Sequence, residues 1–415
     1  MPRRPLIVIL IFLIFFICSF ITNILGPIIP DIISSFHLSL TMTALLPFAF
    51  FIAYGVMSIP SGMLVERYGE KAVINVAFVF TFCGSIIFSL QPYYLTALFS
   101  LFLIGAGMAM LQVAINPMLR VAGGEENFAF NAVLAQLIFG TASFVSPQVY
   151  SYLVNELKNS SIASNFLLTI LRQVVPLHLE WVSLYWLFSF ITLLMIVIIS
   201  LVHLPKVEIP AVERVGVRQT YAELFRKRIV ILYFLGIFCY VGSEQGISNW
   251  ISKFLLDFHG FDPQTVGART VAYFWGFMTI GCVLGMLLLK LFDSRKILIA
   301  FSVLAMTALL FALFGTATIS RHAFPMIGFF YSVMWSIIFS LALNSIENHH
   351  GSFSGILCTG IIGGAAIPLI IGWIGDMLNL RFGLLFLLLT LGYIFFIGLW
   401  ANPLITNKTI RKSSG

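Results

Sequence analysis

Glu244 is the residue best placed to do chemistry. It stands inside a long apolar stretch, sixteen residues after Arg228 and nine before Lys253. At a helical rise of about 1.5 Å per residue that is ~24 Å from one charged end and ~13 Å from the other. A carboxylate so deep in a hydrocarbon layer costs several kcal/mol, so it is expected to face a bundle interior or a cavity and to serve a function. In Cys239-Tyr-Val-Gly-Ser-Glu-Gln-Gly-Ile-Ser-Asn-Trp250, helical spacing sets Tyr240, Glu244 and Ser248 on adjoining turns with Gln245 and Asn249 beside them. Hydroxyls, amides and one carboxylate on one helix suit either sugar hydroxyls or a bare Na⁺, and the acid could instead exchange a proton. The plainer alternative is a protonated Glu satisfied by a neighbouring helix. Gly242 and Gly246 permit local unwinding here.

Other polar residues inside apolar stretches are fewer and more ambiguous. Gln112 and Asn116 lie one turn apart before Pro117, and Asn131 and Gln136 follow in the next stretch. Ser332, Ser336, Ser340 and Asn344 make an i, i+4 stripe beside Tyr331 and Trp335. Small hydroxyl residues mostly pack helices together. Large aromatics can instead stack on sugar faces, and paired amides can bind vicinal hydroxyls. Asn23 is a weaker candidate, satisfying backbone near Pro27. No His/Cys/Asp cluster has metal-ligand spacing, no phosphate loop is present, and no Ser–His–Asp set shares a layer. No enzyme chemistry and no cofactor are expected. Any energy must come from an ion gradient or from the solute gradient itself.

The elements that position these residues follow from composition. Of 415 residues, 60% are hydrophobic and 9% charged, against roughly 25% charged in a soluble domain. The chain is therefore expected to be an all-α membrane protein with twelve transmembrane helices. Apolar spans fall near 6–34, 42–66, 72–90, 94–121, 127–153, 180–203, 229–256, 266–292, 296–315, 323–346, 353–378 and 382–401. The net charge of +7 reflects topology rather than nucleic-acid binding. Seventeen of the 23 Lys and Arg residues fall on one side of these spans, the positive-inside bias, with both termini cytoplasmic. The five cysteines lie in apolar segments without CxxC spacing and read as small hydrophobes. The first span outruns a signal-peptide core and lacks an A-x-A-like site, so it is expected to stay uncleaved. Residues 154–179 contain an apolar piece, Phe166 to Val175, suited to the membrane surface.

Residues 204–228, with Pro205 and Pro210, divide the chain into six-span halves at 1–203 and 229–415. The halves echo each other. Gly62-Met-Leu-Val-Glu-Arg-Tyr-Gly-Glu-Lys71 follows the second span and Gly285-Met-Leu-Leu-Leu-Lys-Leu-Phe-Asp-Ser-Arg-Lys296 the eighth, an offset of 223 that also carries Gly140 onto Gly363. Two pseudo-symmetric six-helix bundles are the repeat plan of major-facilitator transporters, whose sites lie near the bilayer midplane. In the first loop Gly62 would let helices approach closely, while Glu66, Arg67 and Lys71 could pair across the loop or cap a helix end as a gate.

Four segments carry a closer likeness: Leu111-Gln-Val-Ala-Ile-Asn-Pro117, Cys239-Tyr-Val-Gly-Ser-Glu244, Tyr331-Ser-Val-Met-Trp-Ser-Ile-Ile-Phe-Ser340 and Ile362-Gly-Gly-Ala-Ala-Ile-Pro368. In this order they resemble the fucose–proton symporter family of the major facilitator superfamily. The resemblance implies alternating access, uptake of hexoses or related sugars with H⁺ or Na⁺, and function as a monomer in a bacterial inner membrane. In the fucose-carrying branch, carboxylates occupy spans one and four and span seven carries an amide. Here the matching positions are Asn23 and Gln112, and the acid is Glu244. The pattern is thus more similar to the glucose/galactose or sodium-dependent branch, and it makes Asn23 a ligand candidate.

The expectation is a cation–sugar symporter. Glu244 would couple the ion, as a proton carrier or a Na⁺ ligand. Asn23, Gln112, Asn116, Gln245, Asn249, Tyr331 and Trp335 would hold the sugar, and Gly62, Glu66, Arg67 and Lys71 would gate. A proton-driven exporter of amphipathic molecules on the same fold is the alternative, favoured if the 42 phenylalanines line the cavity.

Overall fold

The computed structural model describes residues 5–123, 128–158, 166–202, 223–346 and 350–403. Every regular element among them is helical. The first span is α1 (Pro5–Thr22) followed by α2 (Leu25–Phe36). Then come α3 (Leu40–Tyr68), α4 (Glu70–Leu90), α5 (Tyr94–Gly123), α6 (Phe128–Lys158), the short α7 (Phe166–Val174) and α8 (Ser183–Leu201). The second set is α9 (Arg228–His259), α10 (Ala268–Leu291) and α11 (Ser294–Phe314), then α12 (Ala317–Tyr331) with α13 (Met334–Leu343). It closes with α14 (His350–Thr359), α15 (Gly363–Met377), α16 (Leu380–Leu385) and α17 (Leu387–Trp400).

Several starts are written in the sequence as capping residues, whose side-chain oxygens satisfy the free N–H groups of a first turn. Ser39 accepts from the Met42 N–H at 3.2 Å, Asp293 from Arg295 at 2.9 Å and Asn379 from Phe382 at 3.2 Å. Eleven helical segments among the described residues are long and apolar enough to cross a membrane. The 31-residue α6 is long enough to be the expected twelfth. Outward faces are dominated by apolar side chains such as Phe190 and Leu389, as a lipid solvent demands. The piece near Phe166 is a helix whose Leu168 and Leu171 are buried while Phe166 and Ile170 stay exposed.

The chain divides into two compact units, one of residues 1–208 with 249–272, the other of residues 209–248 with 273–415. Inside the first, α5 packs on α3 and α4, and α4 on α8. Inside the second, α11 packs on α12 and α17. Element starts repeat at the 223-residue offset, at 5 and 228 and at 94 and 317. The close crossings repeat as well. A Cβ on Gly105 would lie 2.2 Å from the Phe50 carbonyl oxygen, and one on Gly328 would lie 2.2 Å from that of Phe274. Each glycine lets two helix backbones meet where any side chain would hold them apart.

Each unit also ties off its last helix in one way. Lys71 Nζ donates to the Ser200 carbonyl at the end of α8 at 2.9 Å, and Arg295 donates to the Ala401 carbonyl after α17 at 3.0 Å. These carbonyls have no partner within their own helix, and a cation there also complements the helix dipole.

Two polar networks sit inside the first unit. The Ser19 hydroxyl lies 2.6 Å from that of Ser143 and donates to the Phe139 carbonyl, while Asn23 Nδ2 donates to Ser143 at 2.8 Å. Near the far end of α2, Asp31 is held rather than left to water. Tyr150 donates to one carboxylate oxygen and Gln264 to the other, and Lys158 donates to the Gln264 carbonyl.

Candidate functional site

Helix α9 runs unbroken from Arg228 to His259, so the unwinding that Gly242 and Gly246 would permit does not occur. These glycines serve contact instead. A Cβ on Gly242 would come 2.2 Å from Ile367 Cγ1, and one on Gly246 2.8 Å from Ile371 Cδ1. Helix α15 therefore lies against one side of α9 and fixes its rotation.

That rotation determines where the acid points. From Tyr240 to Ser252 every residue is buried except Glu244, which keeps part of its surface open. Gln245 Nε2 donates to its carboxylate at 3.3 Å, and the Tyr240 hydroxyl meets it from one turn earlier. Its electrostatic neighbours on other helices are Cys282 of α10 and Tyr331 at the end of α12. Among the described residues no basic side chain forms an ion pair with it. A carboxylate without a counter-ion in such a place is stable only when neutralised by a proton or a bound cation.

Aromatic rings border the acid. Tyr240 lies 6.2 Å from Tyr331 and 6.0 Å from Trp335 between ring centroids. Phe274 packs edge-on against Tyr331, and Phe339 stacks on Trp335. Tyr331 is fully buried, and its hydroxyl lacks a hydrogen-bond partner by geometry. Trp335 stays partly exposed, so part of its ring and part of the acid are both accessible within one cluster. Ser243, near the Tyr331 hydroxyl, pairs with Thr390 of α17 at 2.6 Å and donates to the Cys239 carbonyl.

The structure therefore gathers Glu244, Gln245, Tyr331 and Trp335, four of the residues singled out from sequence, with Tyr240 at their centre. The others are placed differently. Asn249 follows on α9, buried, with its amide nitrogen unpartnered. Asn23 is 5% exposed, and its amide nitrogen is committed to the Ser143 network. Gln112 is half-buried on α5 and engaged in an interaction. The side chains of Asn116 and Glu66 lie outside the described residues. The serine stripe of the tenth span is broken between α12 and α13, leaving Ser332 buried and Ser336 and Ser340 exposed.

The expected gate residues also separate. Among the described residues nothing lies within 4 Å of a Cβ on Gly62, so none of them makes the close approach expected there. At its echo Gly285 the approach is real, at 2.0 Å from Val333 Cγ1. The Arg67 guanidinium lies 5.2 Å from the Tyr68 ring, and Lys71 caps α8. Cys282 and Thr390 had no signal in sequence, because their partners lie on other helices at large separations.

The Major Facilitator Superfamily family model matches residues 11–361. A glucose/galactose transporter of Brucella abortus is 31% identical over 392 residues, spanning 93% of this chain and 92% of its own. The L-fucose–proton symporter of Escherichia coli is 23% identical over 382 residues, covering 87% and 85% of the two chains. A crystal structure of a variant of that fucose:proton symporter superposes with a TM-score of 0.67 at 22% identity, over 96% of this chain and 98% of the other. With its helical spans and duplicated crossings, the chain belongs to the Major Facilitator Superfamily.

Proposed function

We propose that this protein takes up a hexose across a bacterial inner membrane, driven by Na⁺ or H⁺ through alternating access, as a monomer with both termini cytoplasmic. The observation that carries the reading is Glu244, half-open in an otherwise buried run and lacking a basic partner. Beside it stand Gln245, the Tyr240 hydroxyl and the partly exposed Trp335 across Tyr240. Oxygen donors suit a hard cation or a proton, and an aromatic face with nearby amides and hydroxyls suits a sugar ring. The names of the glucose/galactose relatives support the substrate class. Binding the cation removes an uncompensated charge and so lowers the cost of enclosing the solute, which couples the two movements.

The exporter reading needs phenylalanines around the accessible acid. In the cluster Phe274 is fully buried against Tyr331 and Phe339 stacks on Trp335, while the ring that meets the acid is Tyr240. Purified protein in proteoliposomes decides the matter. Labelled glucose, galactose and fucose are offered under Na⁺ and H⁺ gradients imposed separately, and one sugar is expected to accumulate under one gradient. Efflux of amphipathic dyes with no sugar uptake under either gradient replaces this reading with the exporter.

A further inference from the structure

The tenth span is interrupted between Tyr331 and Met334 without a proline at the break. Ser332 N–H turns back to the Phe329 carbonyl at 3.3 Å in a tightened turn, and Val333 follows with φ −106° and ψ −7°. Such a break places main-chain groups and side chains out of helical register. What holds it is one face of α10. A Cβ on Gly281 would lie 2.6 Å from Ser332 Oγ and 2.7 Å from the Phe329 carbonyl oxygen. One on Gly285 would lie 2.0 Å from Val333 Cγ1. Between them Cys282 Sγ donates to the Ser332 carbonyl at 3.2 Å. Two glycines one turn apart thus make a notch, and a thiol inside it meets the carbonyl of the broken turn. The residues on either side of the break are Tyr331 and Trp335, whose rings flank Tyr240.

The geometry points to Gly281, Cys282 and Gly285 as positioning residues for the sugar site. The notch on α10 sets the break in the tenth span, and the break sets the angle of Trp335 beside Tyr240 and Glu244. The inference rests on the proposed sugar-binding role of Trp335 for its functional consequence, but the positioning itself is independent of any substrate. Valine is β-branched and stiff at χ1, so it has little freedom to turn away from a new methyl group at position 285. Gly285→Ala should push Val333, and with it the start of α13. Val333→Ala removes the methyl groups the new Cβ would strike, and should restore the geometry in the double variant.

The test uses full-length protein labelled with 5-fluorotryptophan in detergent or nanodiscs. The fluorine resonance lost in Trp335→Phe identifies that ring. It is expected to move in Gly285→Ala, with the resonances of Trp181 and Trp400 unmoved, and to return in Gly285→Ala/Val333→Ala. Cys282→Ala should shift the same resonance and Cys282→Ser, which keeps a donor, should not; this pair serves if Gly285→Ala does not fold. In uptake, Gly285→Ala and Cys282→Ala should raise KM for the hexose about tenfold with Vmax little changed, and the paired rescues should restore it. A Trp335 resonance indifferent to Gly285→Ala or to Cys282→Ala overturns the positioning role. A resonance that moves while wild-type protein carries no hexose overturns the sugar reading instead.

Discussion

Replacing Glu244 with glutamine keeps the shape and one carbonyl oxygen of the side chain, and removes its capacity to bind a proton or to balance a cation. The cluster holds one acid and no basic partner for it among the described residues, which fixes the expected stoichiometry at one charge per cycle. Moving one elementary charge through 100 mV is worth about 2.3 kcal/mol. At about 1.4 kcal/mol per factor of ten, that supports roughly 50-fold accumulation of a neutral sugar. Wild-type proteoliposomes under a valinomycin-clamped potential, with the coupling ion present, should approach that ratio. Glu244→Gln should bring the sugar only to equal concentrations on both sides, while still exchanging internal for external labelled sugar in counterflow. Counterflow shows that the variant is folded and cycling, so loss of accumulation is then loss of coupling. Accumulation by Glu244→Gln above about tenfold, more than 1.4 kcal/mol of driving force, would show that the ion is carried elsewhere.

Five further substitutions test the scaffold. Gly105→Ala and Gly328→Ala each drive a methyl against a backbone carbonyl oxygen at 2.2 Å. Overpacking of this kind costs about 1–3 kcal/mol, so both should melt earlier by similar amounts, and unequal losses would undercut the equivalence of the two crossings. Ser143→Ala leaves the Asn23 amide only a 3.4 Å contact to Ser19; an unmet buried donor costs about 1–3 kcal/mol, measurable as a lower melting temperature. Lys71→Ala and Arg295→Ala each remove a cation from a helix C-terminus, worth about 0.3–1 kcal/mol at exposed sites. Their mark should be a slight loss of thermal stability with counterflow rates preserved, and a collapse of exchange in Lys71→Ala would restore it to a gating role.

Much of this architecture could be read from residue order alone, because a bilayer imposes a simple rule: long apolar runs span and charges mark the turns. The 223-residue echo was visible in Gly62 and Gly285, yet its mechanical meaning was not. Nothing local distinguishes a glycine that meets Val333 across a helix pair from one with empty space beside it. Helix breaks were equally hidden. The helices run straight through Pro47, Pro60, Pro147, Pro325 and Pro368, since surrounding groups in a membrane bundle can satisfy the freed carbonyls. Interruptions come at other places, among them Asn23 and Ser332, where contacts from α6 and α10 accompany the irregular turns, and Gly360–Ile362 in the eleventh span. Glu244 was legible because charge among apolar residues is costly wherever the chain folds. Its link to Tyr240 followed from a one-turn spacing, whereas the approach of Cys282 and the pairing of Ser243 with Thr390 depend on how distant helices dock.

Measured with the 223-residue ruler that aligns the glycine crossings, the place of Glu244 in one half is taken in the other by Ile21, a side chain 3% exposed in α1. What the two copies inherited in common is joinery: where backbones touch, and how each bundle's last strut is pinned. On the role proposed for Glu244, electrical function resides in one sibling alone. A duplicated frame of this sort lets ion selectivity drift in one copy while the other keeps the carpentry sound, a division of labour that a single undivided bundle has no means to make.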